Sequence, residues 1–135
     1  MADRSFTVDI VTPDRVVLSD EAVSLTAPGA LGSFGVLYNH APLLSELATG
    51  ELRYRRDGGE EIRLAVSGGF LQVFENQITV LADTAEKAEE IDVDRARLAL
   101  EEAREQQAEL RGGERALAVA RQERNRNRLR VAGDR

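Results

Sequence analysis

The first part of the chain alternates apolar and polar residues over short stretches that are separated by turn-forming residues. Residues 6–11, FTVDIV, show the two-residue period of a half-buried β-strand. Asp57-Gly58-Gly59 separates two further alternating stretches and predicts a β-hairpin, whereas Pro28 to Gly32 predicts an irregular loop. Many short strands with frequent turns indicate an antiparallel β-sandwich, which we place over residues 1–83.

After Ala82 the pattern changes to that of an α-helix. Residues 83–110 contain no glycine or proline and are rich in strong helix formers. Aspartate is favoured at the residue before a helix, so Asp92 is the expected N-cap. Small and apolar residues recur every three or four positions and mark one narrow inner face: Ala96, Ala99, Leu100, Ala103, Gln107 and Leu110.

A second helix follows the first after a short turn. Gly112-Gly113 is expected to end the first helix, and residues 114–131 to form the second, with Leu117 and Ala120 beginning its inner face. The predicted fold class is therefore α+β, an N-terminal antiparallel β-sandwich followed by a C-terminal antiparallel helical hairpin over residues 84–135. Because alanine buries little apolar area, we expect this hairpin to be marginally stable and mobile.

Composition narrows the class of protein. The chain has 135 residues, no cysteine and a net charge of −6. It has no apolar run long enough to span a bilayer and no signal-peptide pattern at its start, so direct insertion into a membrane is not expected. Without cysteine there is no disulfide, thiol nucleophile or Cys-ligated metal.

The charges are distributed unevenly along the chain. Residues 1–83 carry 6 basic and 12 acidic side chains, and residues 84–110 carry 4 and 9. Residues 111–135 carry 8 basic and 3 acidic side chains. The two predicted helical segments are therefore electrostatic complements, which can pair with each other or with outside partners.

The sequence contains no recognisable catalytic or metal-binding constellation. The only histidine, His40, precedes Ala41-Pro42, a setting that favours a structural or interfacial role. The only lysine, Lys87, does not follow a glycine-rich loop, which excludes a P-loop. Ser67-Gly68-Gly69 joins two predicted strands, so we interpret it as a tight bend that requires glycine. The chain is not expected to be an enzyme by itself.

Arginines of the second helix form the main candidate site. Arg121, Arg124 and Arg128 share one stripe, which can be a solvated face, a nucleic-acid-binding helix or half of an anion site. The acidic chain and the lack of aromatic residues among these arginines argue against nucleic acid. With the turn near Gly112, residue i of one helix faces roughly residue 224 − i of the other. Closing the hairpin then brings Arg95, Arg124 and Arg128 together. Their charge can be neutralised by a bound polyphosphate or by the nearby carboxylates of Asp92, Asp94 and Glu101.

Four segments, taken together, resemble a known family. They are VTPDRVV at 11–17, GVLYNHAPLLSELATGEL at 35–52, SGGFLQVFENQITVLADTAE at 67–86, and NRL at 127–129. In this order and spacing before a helical hairpin, they are similar to the ε subunit of F-type ATP synthase over essentially the whole chain.

The resemblance implies a non-catalytic subunit of the rotor. The family's sandwich docks on the γ subunit of the central stalk and on the ring of c subunits. Its helices move between a folded form and an extended form that reaches the α and β subunits and restrains ATP hydrolysis. The implied location is peripheral, on the cytoplasmic face of a bacterial plasma membrane or the stromal face of a thylakoid.

The resemblance also implies a regulatory ligand, ATP with or without magnesium, bound by the folded hairpin. Bacterial members that bind ATP carry Ile/Leu-Asp-x-x-Arg-Ala, and this chain matches at 91–96. The implied ATP-binding residues are Glu86, Ile91, Asp92, Arg95, Ala96, Arg124 and Arg128. The candidate residues for partner interfaces are Tyr38, His40, Pro42, Arg121 and Arg126.

Two departures keep an alternative open. Glu102 stands where some nucleotide-binding members carry an arginine, and Tyr38 where the family often has proline. The alternative is the same subunit without physiological ATP binding, its hairpin controlled by charge pairing and by γ. A more remote alternative is a nucleic-acid-binding protein that uses the arginine-rich helix.

Overall fold

The computed structural model describes residues 3–133, which divide into two compact units. The first unit ends at Lys87 and the second begins at Ala88. The strands of the first unit are β1 Phe6–Val11, β2 Val16–Ala22, β3 Ser24–Gly29, β4 Gly32–Leu37, β5 Leu43–Glu46, β6 Gly50–Arg55, β7 Glu61–Ser67, β8 Phe70–Phe74, β9 Gln77–Leu81 and β10 Thr84–Lys87. The second unit has a 3₁₀ turn, Ala88–Glu90, and two helices, α1 Val93–Glu109 and α2 Gly112–Gly133. These elements confirm the predicted fold class.

The strands form two five-stranded sheets, which we call sheet A and sheet B. Sheet A has the order β2-β1-β9-β8-β5, and sheet B has the order β10-β7-β6-β3-β4. One apolar core contains side chains from both sheets, so the first unit is a sandwich. The pairing is antiparallel except between β1 and β9, which run parallel. This pair joins the first strand of sheet A in the sequence to the last. Sequence periodicity does not predict this parallel pair.

Alternation along each strand decides which side chains enter the core. In β8, Leu71 and Val73 are fully buried, whereas Phe70, Gln72 and Phe74 are exposed. The hairpin predicted at Asp57-Gly58-Gly59 forms between β6 and β7, and β8 and β9 form a second hairpin. The expected irregular loop at Pro28 to Gly32 was wrong, because β3 and β4 pair as far as Gly29 and Gly32. The paired backbone groups there satisfy each other, which a loop would leave to water.

A polar cluster ties an edge strand of sheet A to sheet B. The buried Tyr54 of β6 donates its hydroxyl to Asp20 Oδ2 of β2 at 2.7 Å, and Arg56 Nε donates to the same oxygen at 2.8 Å. Partial burial raises the pKa of Asp20, but these hydrogen bonds and one from the Glu21 N–H outweigh it, so the pKa lies below its ordinary value. Burial, and then the bond to Asp20, raise the pKa of the Tyr54 phenol.

The Ser67-Gly68-Gly69 segment is a tight bend, as the sequence predicts. Gly68 and Gly69 have φ values of +65° and +96°, a region that residues with a Cβ rarely adopt. A Cβ on Gly69 would also overlap the backbone of Leu81 and Ala82. The bend is therefore required by the close approach of two backbone segments.

The boundary between strands and helices differs from the prediction. Residues 84–87, expected in the helical part, form β10, which pairs with β7 at the edge of sheet B. Their helix propensity is overridden because the edge of β7 offers backbone hydrogen-bond partners. The first helix begins only at Val93, after Asp92.

The hairpin closes through Leu110 and Arg111 rather than through two glycines. Gly112 has a φ of +58° and already belongs to α2. The predicted inner face of α1 is confirmed, with Ala96, Leu100 and Ala103 buried. For α2 the prediction was wrong in part, because Leu117 is 72% exposed and half of the described buried residues of the helix are polar, namely Gln122, Asn125 and Asn127. Among the described helices, none is long and apolar enough to cross a membrane.

Candidate functional site

The Ile-Asp-x-x-Arg-Ala motif of residues 91–96 lies at the start of α1, where Asp92 caps the helix. The Asp92 Oδ1 accepts a hydrogen bond from the Arg95 N–H at 3.0 Å, and Asp92 has the extended backbone of an N-cap. Ile91 and Ala96 are buried, whereas Asp92 and Arg95 are exposed. The motif thus buries its apolar members and presents its charged members to solvent. Glu86, the remaining acidic residue of the predicted set, lies in β10 of the first unit.

The register of the hairpin agrees with the predicted antiparallel pairing. Arg121 Nη2 contacts Glu102 at 3.4 Å, and Gln122 Nε2 donates to the Ala103 carbonyl oxygen at 3.4 Å. In the same register, Arg124 and Arg128 lie opposite the N-terminal half of α1. The contact of Arg121 with Glu102 also places this arginine, predicted as a partner contact, within the hairpin.

Two predicted arginines lack carboxylate partners in this form. Among the described residues, the guanidinium groups of Arg95 and Arg124 make no hydrogen bond or ion pair. Asp94 lies 3.8 Å from Arg97, and no ion pair of Glu101 is seen among the same residues. Arg128 Nη1 donates to Asn125 Oδ1 at 3.0 Å. The carboxylates expected to neutralise the arginine patch are therefore engaged elsewhere or unpaired.

Amide side chains occupy the seam between α1 and α2. Gln122 is 4% exposed and donates to Gln107 Oε1, and its own Oε1 accepts from Arg126 Nη2 at 3.0 Å. Asn125, 2% exposed, donates to the Arg121 carbonyl oxygen at 2.8 Å. We call Gln107, Gln122 and Asn125 the amide seam. Its α2 members were not predicted from the sequence, although Ala118, Gln122 and Asn125 recur at spacings of four and three.

The candidate interface loop lies in the first unit. Residues 38–42 connect β4 at the edge of sheet B to β5 at the edge of sheet A. Tyr38 and Pro42 are exposed, and His40 is partly exposed with its Nδ1 2.7 Å from the Ala41 carbonyl oxygen. Two asparagines, Asn39 of this loop and Asn76 of the β8–β9 turn, hold it through their amides.

The outer face of sheet A is unusually apolar. Phe70 pairs across the ladder with Leu81, and both are about half exposed. Leu44 of β5 and Phe74 of β8 lie on the same face and are 70% and 52% exposed. Exposed apolar residues grouped in this way are typical of surfaces that bind another protein. We call these four residues the apolar face.

The two units define a class of protein: a sandwich with exposed apolar side chains on sheet A, joined in sequence to a helical hairpin with a polar seam. Comparisons with known proteins identify the class more closely. The family model of the ATP synthase delta/epsilon-chain β-sandwich domain matches residues 5–88. The chain therefore belongs to the ATP synthase delta/epsilon-chain family, which confirms the resemblance seen in the sequence.

Relatives and solved structures agree with this assignment. The ATP synthase epsilon chain of Nitratidesulfovibrio vulgaris is 44% identical over 133 residues, 98% of each chain. That of Anaeromyxobacter sp. strain K is 54% identical over 99 residues, 73% of this chain and 74% of that protein. A chain of the Euglena gracilis mitochondrial ATP synthase, solved with OSCP, F1 and the c-ring, has a TM-score of 0.80 and 26% identity. The alignment covers 91% of this chain and 78% of that one. A chain of the Tetrahymena thermophila enzyme's central stalk and c-ring (TM-score 0.61, 15% identity, 93% and 95% covered) shares the fold.

Proposed function

We propose that this chain acts as a non-catalytic subunit of an ATP synthase rotor, coupling proton-driven rotation to ATP synthesis. The observation that carries the proposal is the match of the whole chain to ATP synthase epsilon chains, 98% of its length at 44% identity. The similar Euglena chain comes from an assembly of F1 with the c-ring, which fits a place in the stalk. A subunit held there is peripheral to the membrane, on its cytoplasmic or stromal side.

The sandwich supplies the docking surfaces in this proposal. The apolar face of sheet A, in which Phe70 and Leu81 pair across the ladder, suits a stable contact with the γ subunit. The loop of residues 38–42, which we call the docking loop, carries Tyr38, His40 and Pro42 and faces the c-ring or the adjoining part of γ. Sheets are rigid enough to transmit torque, which favours the sandwich over the hairpin as the coupling element.

The hairpin supplies the regulation. Its seam is formed by alanine and amide side chains, which bury little apolar area, so the free energy that keeps it closed is small. A ligand that binds only the closed form would therefore shift the equilibrium appreciably, by about 2.7 kcal/mol at a hundred times its dissociation constant. In the extended form the helices reach the α and β subunits and restrain ATP hydrolysis.

ATP, with or without magnesium, is the proposed ligand of the closed hairpin. Arg95 and Arg124 have no carboxylate partner among the described residues, so they can bind phosphate groups without breaking an ion pair. Asp92 holds the first turn of α1 and thereby places Arg95. Arg128 of α2 completes the proposed set within the hairpin.

Calorimetric titration of the full chain with MgATP tests the ligand. We expect saturable binding that Arg95→Ala and Arg124→Ala each weaken about tenfold or more, since each removes a charge-assisted contact. Arg97→Ala is the matched control in α1, because Arg97 is exposed and its only ion pair within residues 3–133 is with Asp94. Absence of binding, or equal affinity in all three variants, would refute ATP binding at this site.

Hydrolysis by the assembled enzyme tests the regulatory role. The complex is stripped of this subunit and then reconstituted with the full chain or with a chain that ends after Lys87. We expect the full chain to restrain hydrolysis and the shortened chain to support rotation-coupled synthesis without that restraint. Equal hydrolysis rates with the two chains would refute the role of the hairpin.

Charge pairing without ATP is the second candidate mechanism, and the Arg121–Glu102 contact at 3.4 Å favours it. Both groups are at the surface, where such a pair contributes only about 0–1 kcal/mol and is weakened by salt. In this mechanism high salt opens the hairpin and ATP leaves the small-angle scattering profile unchanged. Compaction by ATP at constant salt would support the first mechanism instead.

A further inference from the structure

The docking loop has few contacts that could hold its conformation. One is local, a turn in which the His40 N–H donates to the Leu37 carbonyl oxygen at 3.1 Å. The His40 ring contacts only the carbonyl of the next residue, Ala41. Among the described residues, the hydrogen bonds that join the loop to a distant part of the chain all go to Asn76.

Asn39 and Asn76 form a reciprocal amide pair, which we call the asparagine clasp. The Asn39 backbone N–H donates to Asn76 Oδ1 at 2.7 Å, and Asn76 Nδ2 donates to Asn39 Oδ1 at 2.9 Å. Both residues have φ of +61°, a left-handed conformation that asparagine adopts more readily than most residues. Two bends in the chain thus bring the two amides face to face.

The clasp connects the loop to the rigid part of the sandwich. Asn76 lies in the two-residue turn between β8 and β9, and its carbonyl oxygen accepts the N–H of Thr7 in β1 at 3.0 Å. The loop is therefore held at one point, near its middle, by a turn that is itself bonded to a central strand of sheet A. Loss of the clasp would leave residues 38–42 without a hydrogen bond to any distant part of the described chain.

We propose that the asparagine clasp positions the docking loop, so that Tyr38, His40 and Pro42 meet the rotor partner in a conformation formed before binding. This inference rests on the proposed docking function. A loop ordered in advance loses less conformational entropy on association, so the clasp raises affinity without contacting the partner itself. Asn39 and Asn76 are positioning residues in this sense.

Substitutions in the β8–β9 turn distinguish loss of the clasp from a change in the turn itself. Asn76→Gly removes both side-chain contacts while glycine keeps the left-handed backbone. Glu75→Gly is the matched control, because Glu75 lies in the same turn at φ +48° and makes no contact with the loop. Asn39→Asp retains an acceptor for Asn76 Nδ2, whereas Asn39→Asp combined with Asn76→Asp sets two carboxylates against each other.

Two measurements on the full chain are needed. The first is the dissociation constant for ATP synthase stripped of this subunit, alongside the thermal unfolding midpoint of the free chain. We expect Asn76→Gly and the double aspartate variant to bind about tenfold more weakly, and Glu75→Gly and Asn39→Asp to stay within about threefold of wild type. The second is amide hydrogen exchange at Asn39. We expect this exchange to be faster than in wild type in Asn76→Gly but not in Glu75→Gly.

The outcomes separate this inference from the proposed function. Faster exchange at Asn39 and weaker binding, with the unfolding midpoint unchanged, would support a positioning role. Wild-type affinity in Asn76→Gly despite faster exchange would overturn it and leave the docking function intact. Equal losses in Asn76→Gly and Glu75→Gly would also overturn it, since the turn rather than the clasp would be responsible. A wild-type chain that does not bind the stripped complex would refute the docking function and, with it, this inference.

Discussion

The amide seam offers the most direct test of the proposal that the hairpin is only weakly closed. In the double variant Gln107→Leu/Gln122→Leu, two amides of similar volume are replaced by apolar side chains that can pack against each other. Gln122 is 4% exposed and Gln107 partly buried, so the two leucines would bury apolar surface that the present seam lacks. We expect the closed hairpin to become more stable.

The size of the effect follows from the contacts. Burying a leucine contributes about 1.5–3 kcal/mol when burial is complete, and here it is complete at only one of the two positions. Against this stands the loss of the Gln122–Gln107 bond and of the bond from Arg126, each about 0.5–1.5 kcal/mol, and of the weaker 3.4 Å bond to the Ala103 carbonyl oxygen. The exposed Arg126 regains water, which reduces its share of the loss. The net stabilisation is about 1–2 kcal/mol, a five- to thirty-fold shift toward the closed form.

Amide hydrogen exchange in α1 of the free chain measures this shift. Protection at Leu100 and Ala103 should rise by roughly the same five- to thirty-fold factor in the double variant. Gln106→Leu is the control, because this neighbouring residue is exposed, gains no burial and loses a long surface hydrogen bond from Arg121 at 3.5 Å. Unchanged or lower protection would refute the polar-seam explanation. If protection rises but hydrolysis by the reconstituted complex is inhibited as before, the polar-seam explanation is supported and the regulatory role of the hairpin is refuted.

Further predictions concern the sandwich and the helix cap. Gly69→Ala should destabilise the sandwich by about 3 kcal/mol or more in urea unfolding, while Gly59→Ala, at φ +92° with open space around it, should cost about 1 kcal/mol. Tyr54→Phe should cost about 1–2 kcal/mol by the same assay, because it removes the hydroxyl that donates to Asp20. The lowered pKa of Asp20 means that its ionised form stabilises the fold above the unfolded-state pKa of about 3.9, and this contribution is lost as the pH falls through the lower folded-state value. The stability deficit of Asp20→Asn should therefore be largest near pH 7 and shrink below about pH 4, and a deficit independent of pH would contradict this. Asp92→Ala should cost about 1 kcal/mol of local helix stability, seen as faster amide exchange in the first turn of α1, and no change there would rule out the cap.

Features of the chain that depend on neighbours in sequence could be predicted before the structure was known. Alternation in residues 6–11 predicts β1, the Asp57-Gly58-Gly59 turn predicts the β6–β7 hairpin, and Asp92 is the N-cap of α1. The glycine bend after Ser67 and the alanine face of α1 belong to the same group. Each rests on backbone geometry or side-chain spacing within a few residues, which the sequence displays directly.

Tertiary structure alone decides the features that join distant segments. The parallel pairing of β1 with β9 and the strand at 84–87 depend on which sheet edges are available after folding, and propensity gives no sign of either. The asparagine clasp joins residues 37 positions apart, so neither asparagine predicts the other. The inner face of α2 was misplaced for a related reason. A search for apolar periodicity selects Leu117, whereas the folded seam buries Gln122, whose polarity is tolerated because Gln107 and a backbone carbonyl satisfy its amide.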